Sequence, residues 1–259
     1  HKMVRELQRK HGMLDATEPA EQYWQRWTQE CELADIIMVN SEWSRRNVIA
    51  AGVDARKVVV VPLAYEATFT SKVVSQERTL SECSPLKILF LGQLVVRKGI
   101  METIEAISVL QDKHIEWTFV GSGPEAVVTR LNEFSNVKVV GQVRHGEVEN
   151  YYRSADVFLL PTHSDGFGLT QLEALRYGVP MIVSSHCGDV VEHGRTGVIL
   201  EAITSEEIVD LVNSLLKEPS QISSMKEAVE ASDNKWTLNA LSENLLRLEQ
   251  EIVLVAPDD

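Results

Sequence analysis

The sequence predicts an α/β fold: a doubly wound parallel sheet, preceded by an incomplete α/β portion at the amino end. Three observations carry that expectation. Short apolar runs recur at residues 88–91, 117–120, 137–140, 157–160, 181–183 and 198–200, with helix-period segments between them. The runs are near-continuous rather than alternating, as strands are when helices cover both faces of a sheet. Strand–helix alternation then leads to parallel strands joined by right-handed crossovers, with ligands taken outside the carboxyl ends of the strands. The conspicuous loops of this chain fall at those ends.

In chain order, residues 1 to about 34 read as helix, with Trp24 and Trp27 on one face. Residues 36–39 form a short buried strand. Ser41 caps a helix that runs to Ala50, and Gly52 stands where a left-handed C-terminal cap belongs. Residues 57–61 form a second buried strand, closed by Pro62. The polar stretch 70–85 lacks periodicity and reads as a linker. After the six strands, helices are expected near 205–216 and 236–252. The last has an apolar stripe of Trp236, Leu238, Leu241, Leu245, Leu248 and Ile252. The expected division is 1–69, a linker at 70–85, a Rossmann-like domain at 86–235, and a closing helix and tail at 236–259.

The 259 residues are 44% apolar and 24% charged, the profile of a globular protein with a proper core. Lys and Arg number 25 against 38 Asp and Glu, a net charge of −13. That balance disfavours nucleic acid as a partner, because phosphate-backbone binding needs a basic excess. Cys31, Cys83 and Cys187 are far apart and odd in number, so no disulfide or zinc framework follows, and a cytoplasmic location is expected. No apolar run reaches the length of a membrane span, and no secretory signal is visible. The opening His1-Lys2-Met3 enters a helix in mid-stride, so the chain is expected to be part of a longer protein.

The chemistry concentrates between Pro161 and Gly188. A strand ends, a turn built on Gly166 and Gly168 follows, and a helix opens near Leu169. Amides at a helix start lack intrahelical acceptors and suit a phosphate. Asp165 and Glu173 flank them and can accept hydrogen bonds from hydroxyls, which points to a phosphorylated sugar. On this helix Leu169, Leu172 and Leu175 are expected to face inward, Thr170, Gln171 and Arg176 outward, and Glu173 to lie at the border. The bland alternatives are an Asp-Gly turn residue and a solvated helical glutamate.

The loop from Gly92 to Gly99 adds Arg97 and Lys98, which can meet a diphosphate or simply be a solvated pair before a glycine-started helix. Gly121-Ser122-Gly123-Pro124 lacks the third glycine of a dinucleotide fingerprint and is equally explained by turn chemistry. The histidines show no metal-ligand spacing, and no Walker loop or nucleophile elbow is present, so neither metal nor cofactor is expected.

From Leu86 to Leu200 the chain resembles the carboxyl-terminal domain of retaining glycosyltransferases of family 4 (glycosyl transferases group 1), with the GT-B fold. The matching pieces come in order: Lys98-Gly99, Gly121-Ser122-Gly123-Pro124, Gly141-Gln142-Val143, Tyr152 with Ala155-Asp156-Val157, an acid and a glutamate with seven residues between them at Asp165 and Glu173, Gly178-Val179-Pro180, and Gly188 with Glu192, Gly194 and Gly197. Upstream, Ala34-Asp35-Ile36, Ser41, Gly52, Lys57-Val58 and Pro62 resemble the end of that family's amino-terminal acceptor domain.

The resemblance implies that the chain moves a sugar from a nucleotide-diphosphate sugar (UDP or GDP) to a saccharide, lipid or protein acceptor, and that these residues alone are inactive. Lys98 would hold the diphosphate and Asp165 the donor sugar, these two being the implied catalytic residues. Arg97 and Gln93 would contribute to the diphosphate grip, Gln93 standing where the family often has arginine. Amides at Gly166, Phe167, Gly168 and Leu169 would hold phosphate and sugar hydroxyls, Glu173 the ribose, and the backbone near Val143 the base. Asp165 itself replaces the family's usual glutamate. The rival readings are a sugar-nucleotide epimerase of the same fold and a donor-binding module without activity.

Overall fold

The computed structural model describes residues 2–12, 20–65, 84–232 and 235–255. Most of the expected linker, and Cys83, lie outside them. In place of one long opening helix there are two, α1 (Lys2–Lys10) and α2 (Glu21–Leu33). On α2 the Trp24 and Trp27 rings meet edge-on at 6.3 Å.

Two units pack separately: residues 2–12 with 84–232, and residues 20–65 with 235–255. The smaller unit pairs β1 (Ile37–Val39) with β2 (Val58–Val60) in parallel, Ile37 opposite Val58. Between them runs α3 (Glu42–Ala50), capped as expected: Ser41 Oγ accepts from the Ser44 amide at 3.1 Å, and Gly52 takes φ of 103° just past its end.

The larger unit is the six-stranded parallel sheet that the apolar runs predict: β3 (Leu86–Leu91), β4 (Ile115–Val120), β5 (Val137–Gly141), β6 (Val157–Leu160), β7 (Met181–Ser184) and β8 (Gly197–Leu200). The spatial order is β5-β4-β3-β6-β7-β8. The first three strands grow one way from β3 and the last three the other way, so the order reverses between β3 and β6. Ile88 and Leu89 pair there with Val157 and Phe158. The helices α4 (Ile100–Leu110), α5 (Glu125–Leu131), α6 (Val148–Ser154), α7 (Thr170–Arg176), α8 (Ser205–Lys217) and α9 (Ser220–Glu230) alternate with or follow the strands.

The core forms where α4 and α8 pack on one another and on the sheet. Ile100, Ile104, Ile107 and Leu110 fall on one stripe of α4, all fully buried, and meet Ile88, Phe90, Trp117 and Phe119 from the strands and Ile208, Val212 and Leu215 from α8. Each such burial contributes about 1.5–3 kcal/mol. Thr204 caps α8, accepting from the Glu207 amide at 3.2 Å, while the Glu207 carboxylate takes the Glu201 and Ala202 amides at 2.6 Å each.

The grouping of the chain ends differs from the sequence expectation. Helix α1 belongs with the sheet unit, where Leu7 packs on the core. The closing helix α10 (Leu238–Val255) belongs with residues 20–65, tied through the Tyr65 amide to the Trp236 carbonyl at 3.1 Å. The apolar stripe of α10 is only partly covered: Trp236 and Leu248 are buried, but Leu238 and Leu245 are 48% and 41% exposed.

Candidate active site

Strand order reverses between β3 and β6, and at such a point an open α/β sheet takes its ligand in the crevice outside the carboxyl ends of the strands. One wall is the loop after β3, which closes in a 3-10 turn at Val96–Lys98 and then Gly99. Gly99 is left-handed at φ 76°, and a Cβ there would lie 2.0 Å from the Pro161 carbonyl oxygen. Only glycine lets the two loops approach so closely. The Arg97 carbonyl then accepts from the His163 amide at 2.9 Å and from Thr162 Oγ1 at 3.0 Å. So fastened, the loops set Lys98 Nζ in an ion pair with Asp165 Oδ2, the two side chains only 14% and 18% exposed.

Arg97 does not stand free in solvent. Its Nη1 donates to the Ser164 carbonyl at 2.8 Å, and its Nη2 lies 3.5 Å from exposed Gln93 Oε1. Lys98, Asp165, Arg97 and Gln93 thus form one connected set.

The other wall is the turn from Asp165 into α7. Gly168 is left-handed at φ 74°. Phe167 is buried and its carbonyl accepts from the Gly188 amide at 2.8 Å; a Cβ on Gly188 would meet the Phe167 ring at 2.8 Å. The Asp165 amide donates to the His186 carbonyl at 2.9 Å. Among the described residues the Gly168 and Leu169 amides have no acceptor. Cys187 is buried behind the turn, where burial, then the charges of Asp165 and Asp189, push its thiol up to about 12.

On α7 two orientations reverse the sequence expectation. Leu169 is 51% exposed, whereas Gln171 is fully buried. Gln171 Nε2 ties the carbonyls of Phe167 at 2.7 Å and Gly188 at 3.1 Å, and those hydrogen bonds offset the burial of a polar amide. Glu173 is half-buried, neither core nor freely solvated. Tyr152, fully buried on α6, directs its hydroxyl to Glu173 Oε2 at 2.9 Å and to the Thr170 carbonyl at 3.1 Å. Burial, then the Glu173 charge and the hydrogen bond to it, hold the Tyr152 hydroxyl well above its ordinary pKa.

Val143 follows β5, at the edge of the sheet and two strands from β3. Among the described residues its backbone makes no hydrogen bond. The glycines of the second loop serve packing. A Cβ on Gly121 would meet the Gly92 carbonyl oxygen at 1.9 Å, and one on Gly123 would meet Leu94 Cβ at 2.6 Å.

The sequence reading missed a buried pair beneath the crevice. His163 Nε2 lies 2.8 Å from Glu102 Oε1, both side chains about nine-tenths covered. Burial raises the Glu102 pKa, but the hydrogen bond to His163 and its charge outweigh that and leave the carboxyl below its ordinary value. The partners are 61 residues apart, so no local spacing could announce them. Among the described residues no group of three His, Cys, Asp or Glu side chains is arranged to hold a metal, and no helix is long and apolar enough to cross a membrane.

The family model described as glycosyl transferases group 1 matches residues 85–218, half of the chain and all of this site. The chain belongs to that family. Among its relatives in the group, the 2-deoxystreptamine N-acetyl-D-glucosaminyltransferase of Niallia circulans is 30% identical over 169 residues, covering 57% of this chain and 43% of that protein. The capsular polysaccharide biosynthesis glycosyltransferase CapM of Staphylococcus aureus is 27% identical over 172 residues, 62% of this chain and 44% of that one. The chain spans about half the length of the curated relatives it matches.

Among solved structures, Anabaena Alr3699/HepE in complex with UDP-glucose superimposes with a TM-score of 0.68 at 17% identity, over 84% of this chain and 64% of that one. Sucrose-phosphate synthase from Thermosynechococcus elongatus gives 0.69 at 21% identity, over 93% and 65%. These likenesses establish the shared fold, that of GT-B glycosyltransferases.

Proposed function

We propose that the sheet unit binds a nucleotide-diphosphate sugar, a UDP or GDP sugar, and that the chain serves a retaining glycosyltransferase reaction on a saccharide, lipid or protein acceptor. The observation that carries the reading is the Lys98–Asp165 ion pair at the point where strand order reverses. Membership of the glycosyl transferases group 1 family supports it. In this reading Lys98 bridges the donor diphosphate and Asp165, so the carboxylate can face the sugar without repelling the phosphates. Arg97 adds charge while bracing the Ser164 carbonyl, and Gln93 orients Arg97. The open amides of Gly168 and Leu169, with the neighbouring backbone of Gly166 and Phe167, take phosphate and sugar oxygens. Glu173 accepts from the ribose hydroxyls, and the backbone at Val143 reads the base. Residues 20–65 are read as part of an acceptor domain.

The transfer breaks the bond between the anomeric carbon and the diphosphate oxygen, and forms one from the acceptor oxygen on the same face. The acceptor proton passes to the departing phosphate. Negative charge grows on that diphosphate as the sugar becomes oxocarbenium-like, so fixed positive groups and donors lower the barrier. Removing one such donor costs about 3–4 kcal/mol, two or three decades in rate. Residues 1–259 by themselves are expected to bind donor without turnover. Calorimetry with UDP, GDP, uridine and guanosine tests the reading. Tighter binding of one diphosphate than of its nucleoside is expected; equal affinities for both pairs would end the proposal.

A further inference from the structure

We propose that Tyr152 is a positioning residue that aims the Glu173 carboxylate and thereby sets a preference for ribose over deoxyribose in the bound nucleotide. This rests on the function proposed above. The Tyr152 ring is packed on both sides. It is fully buried, stacks on Tyr177 at 5.5 Å and 17°, and packs against Phe158 at 5.7 Å. Its hydroxyl has one hydrogen and two acceptors, Glu173 Oε2 at 2.9 Å and the Thr170 carbonyl at 3.1 Å. The charged and nearer acceptor takes the larger share.

Glu173 is therefore tethered through one oxygen. Among the described residues Oε1 has no partner, and it is the oxygen left to accept from a sugar hydroxyl. A glutamate otherwise loses rotamer freedom on being fixed, at a cost that a pre-set tether removes from the binding step. The Thr170 carbonyl ties the same hydroxyl to the first turn of α7, so the turn that carries Gly168 and Leu169 and the carboxylate share one anchor. Among the described residues Glu173 Oε2 makes no other hydrogen bond.

The experiment measures affinities of UDP and GDP against their 2′-deoxy counterparts for the 259-residue chain, for Glu173→Ala and for Tyr152→Phe. The wild-type chain is expected to favour ribose, and Glu173→Ala to abolish that preference. Tyr152→Phe keeps the ring and removes only the hydroxyl; it should lower the preference by roughly three- to tenfold, the factor one hydrogen bond carries. Loss of preference in Glu173→Ala with full preference in Tyr152→Phe overturns the role of Tyr152 and leaves the function reading standing. A wild-type chain that binds neither diphosphate, or binds ribose and deoxyribose forms alike, overturns the ribose role of Glu173 and this inference with it. Should Tyr152→Phe not fold, the ring-carbon resonance of isotope-labelled Tyr152 in the wild-type chain decides. It should shift with the ribonucleotide and stay with the deoxy form, and equal shifts overturn the proposal.

Discussion

Lys98 is held at the proposed diphosphate site by contacts that are not its own. Its ammonium meets Asp165 because Gly99 has no side chain and because the Arg97 carbonyl is bonded to Thr162 and His163. Lys98→Ala should weaken UDP binding by roughly tenfold to a hundredfold, the range for a hydrogen bond to a charged group, while uridine affinity moves far less. Calorimetric losses of equal size for both ligands would remove Lys98 from the phosphate role. Gly99→Ala should do comparable harm from outside the ligand shell. A methyl group 2.0 Å from the Pro161 oxygen forces the loops apart and parts Lys98 from Asp165. Nucleotide affinity measured on folded Gly99→Ala protein checks this, and wild-type affinity would contradict it.

At the scale of elements, α4 does two jobs. Its inner stripe belongs to the core, so Ile104→Ala, at a fully buried site, should cost about 2–5 kcal/mol in urea denaturation. Its first turn carries Glu102, which joins the helix to the loop after β6 through His163. Because the Glu102 carboxyl sits below its ordinary value, the folded state binds fewer protons there than the unfolded chain. The pair's contribution is then full above about pH 4.3 and drains away as pH falls through the lowered value. The stability gap between wild type and Glu102→Gln should therefore hold steady down to about pH 4.3 and shrink as the pH falls further. A gap that stays constant below that point would refute the linkage. The helix and strand types were readable because helices carry an apolar period and these strands a short continuous apolar run. The pairing of Glu102 with His163 was not, since hydrogen bonds between distant loops leave no period behind.

In the proposed reading the sheet unit holds an anionic ligand on a chain whose net charge is −13. General attraction cannot supply the affinity, so it must come from the local set of Lys98, Arg97 and the open amides. A ligand that binds only the folded form raises its melting point, by about 2.7 kcal/mol of added stability at a hundredfold excess over Kd. In a thermal-shift panel, UDP or GDP sugars should raise the melting temperature where the free sugars do not. A panel in which no nucleotide sugar differs from its free sugar would count against the site.

The strands and their order of appearance were legible from apolar runs, because burial on both faces imposes continuous hydrophobicity. Lys98, Asp165 and Glu173 stood out as candidates through the motifs around them. Folding in three dimensions settled who meets whom. It drew Gln171 inward where a helix wheel pointed it out, because two loop carbonyls needed its amide. It joined Glu173 to Tyr152 and Lys98 to Asp165, and it moved α1 and α10 to units other than those their positions in the chain foretold. Each of these depends on contacts between segments far apart in the chain, which local periodicity does not encode.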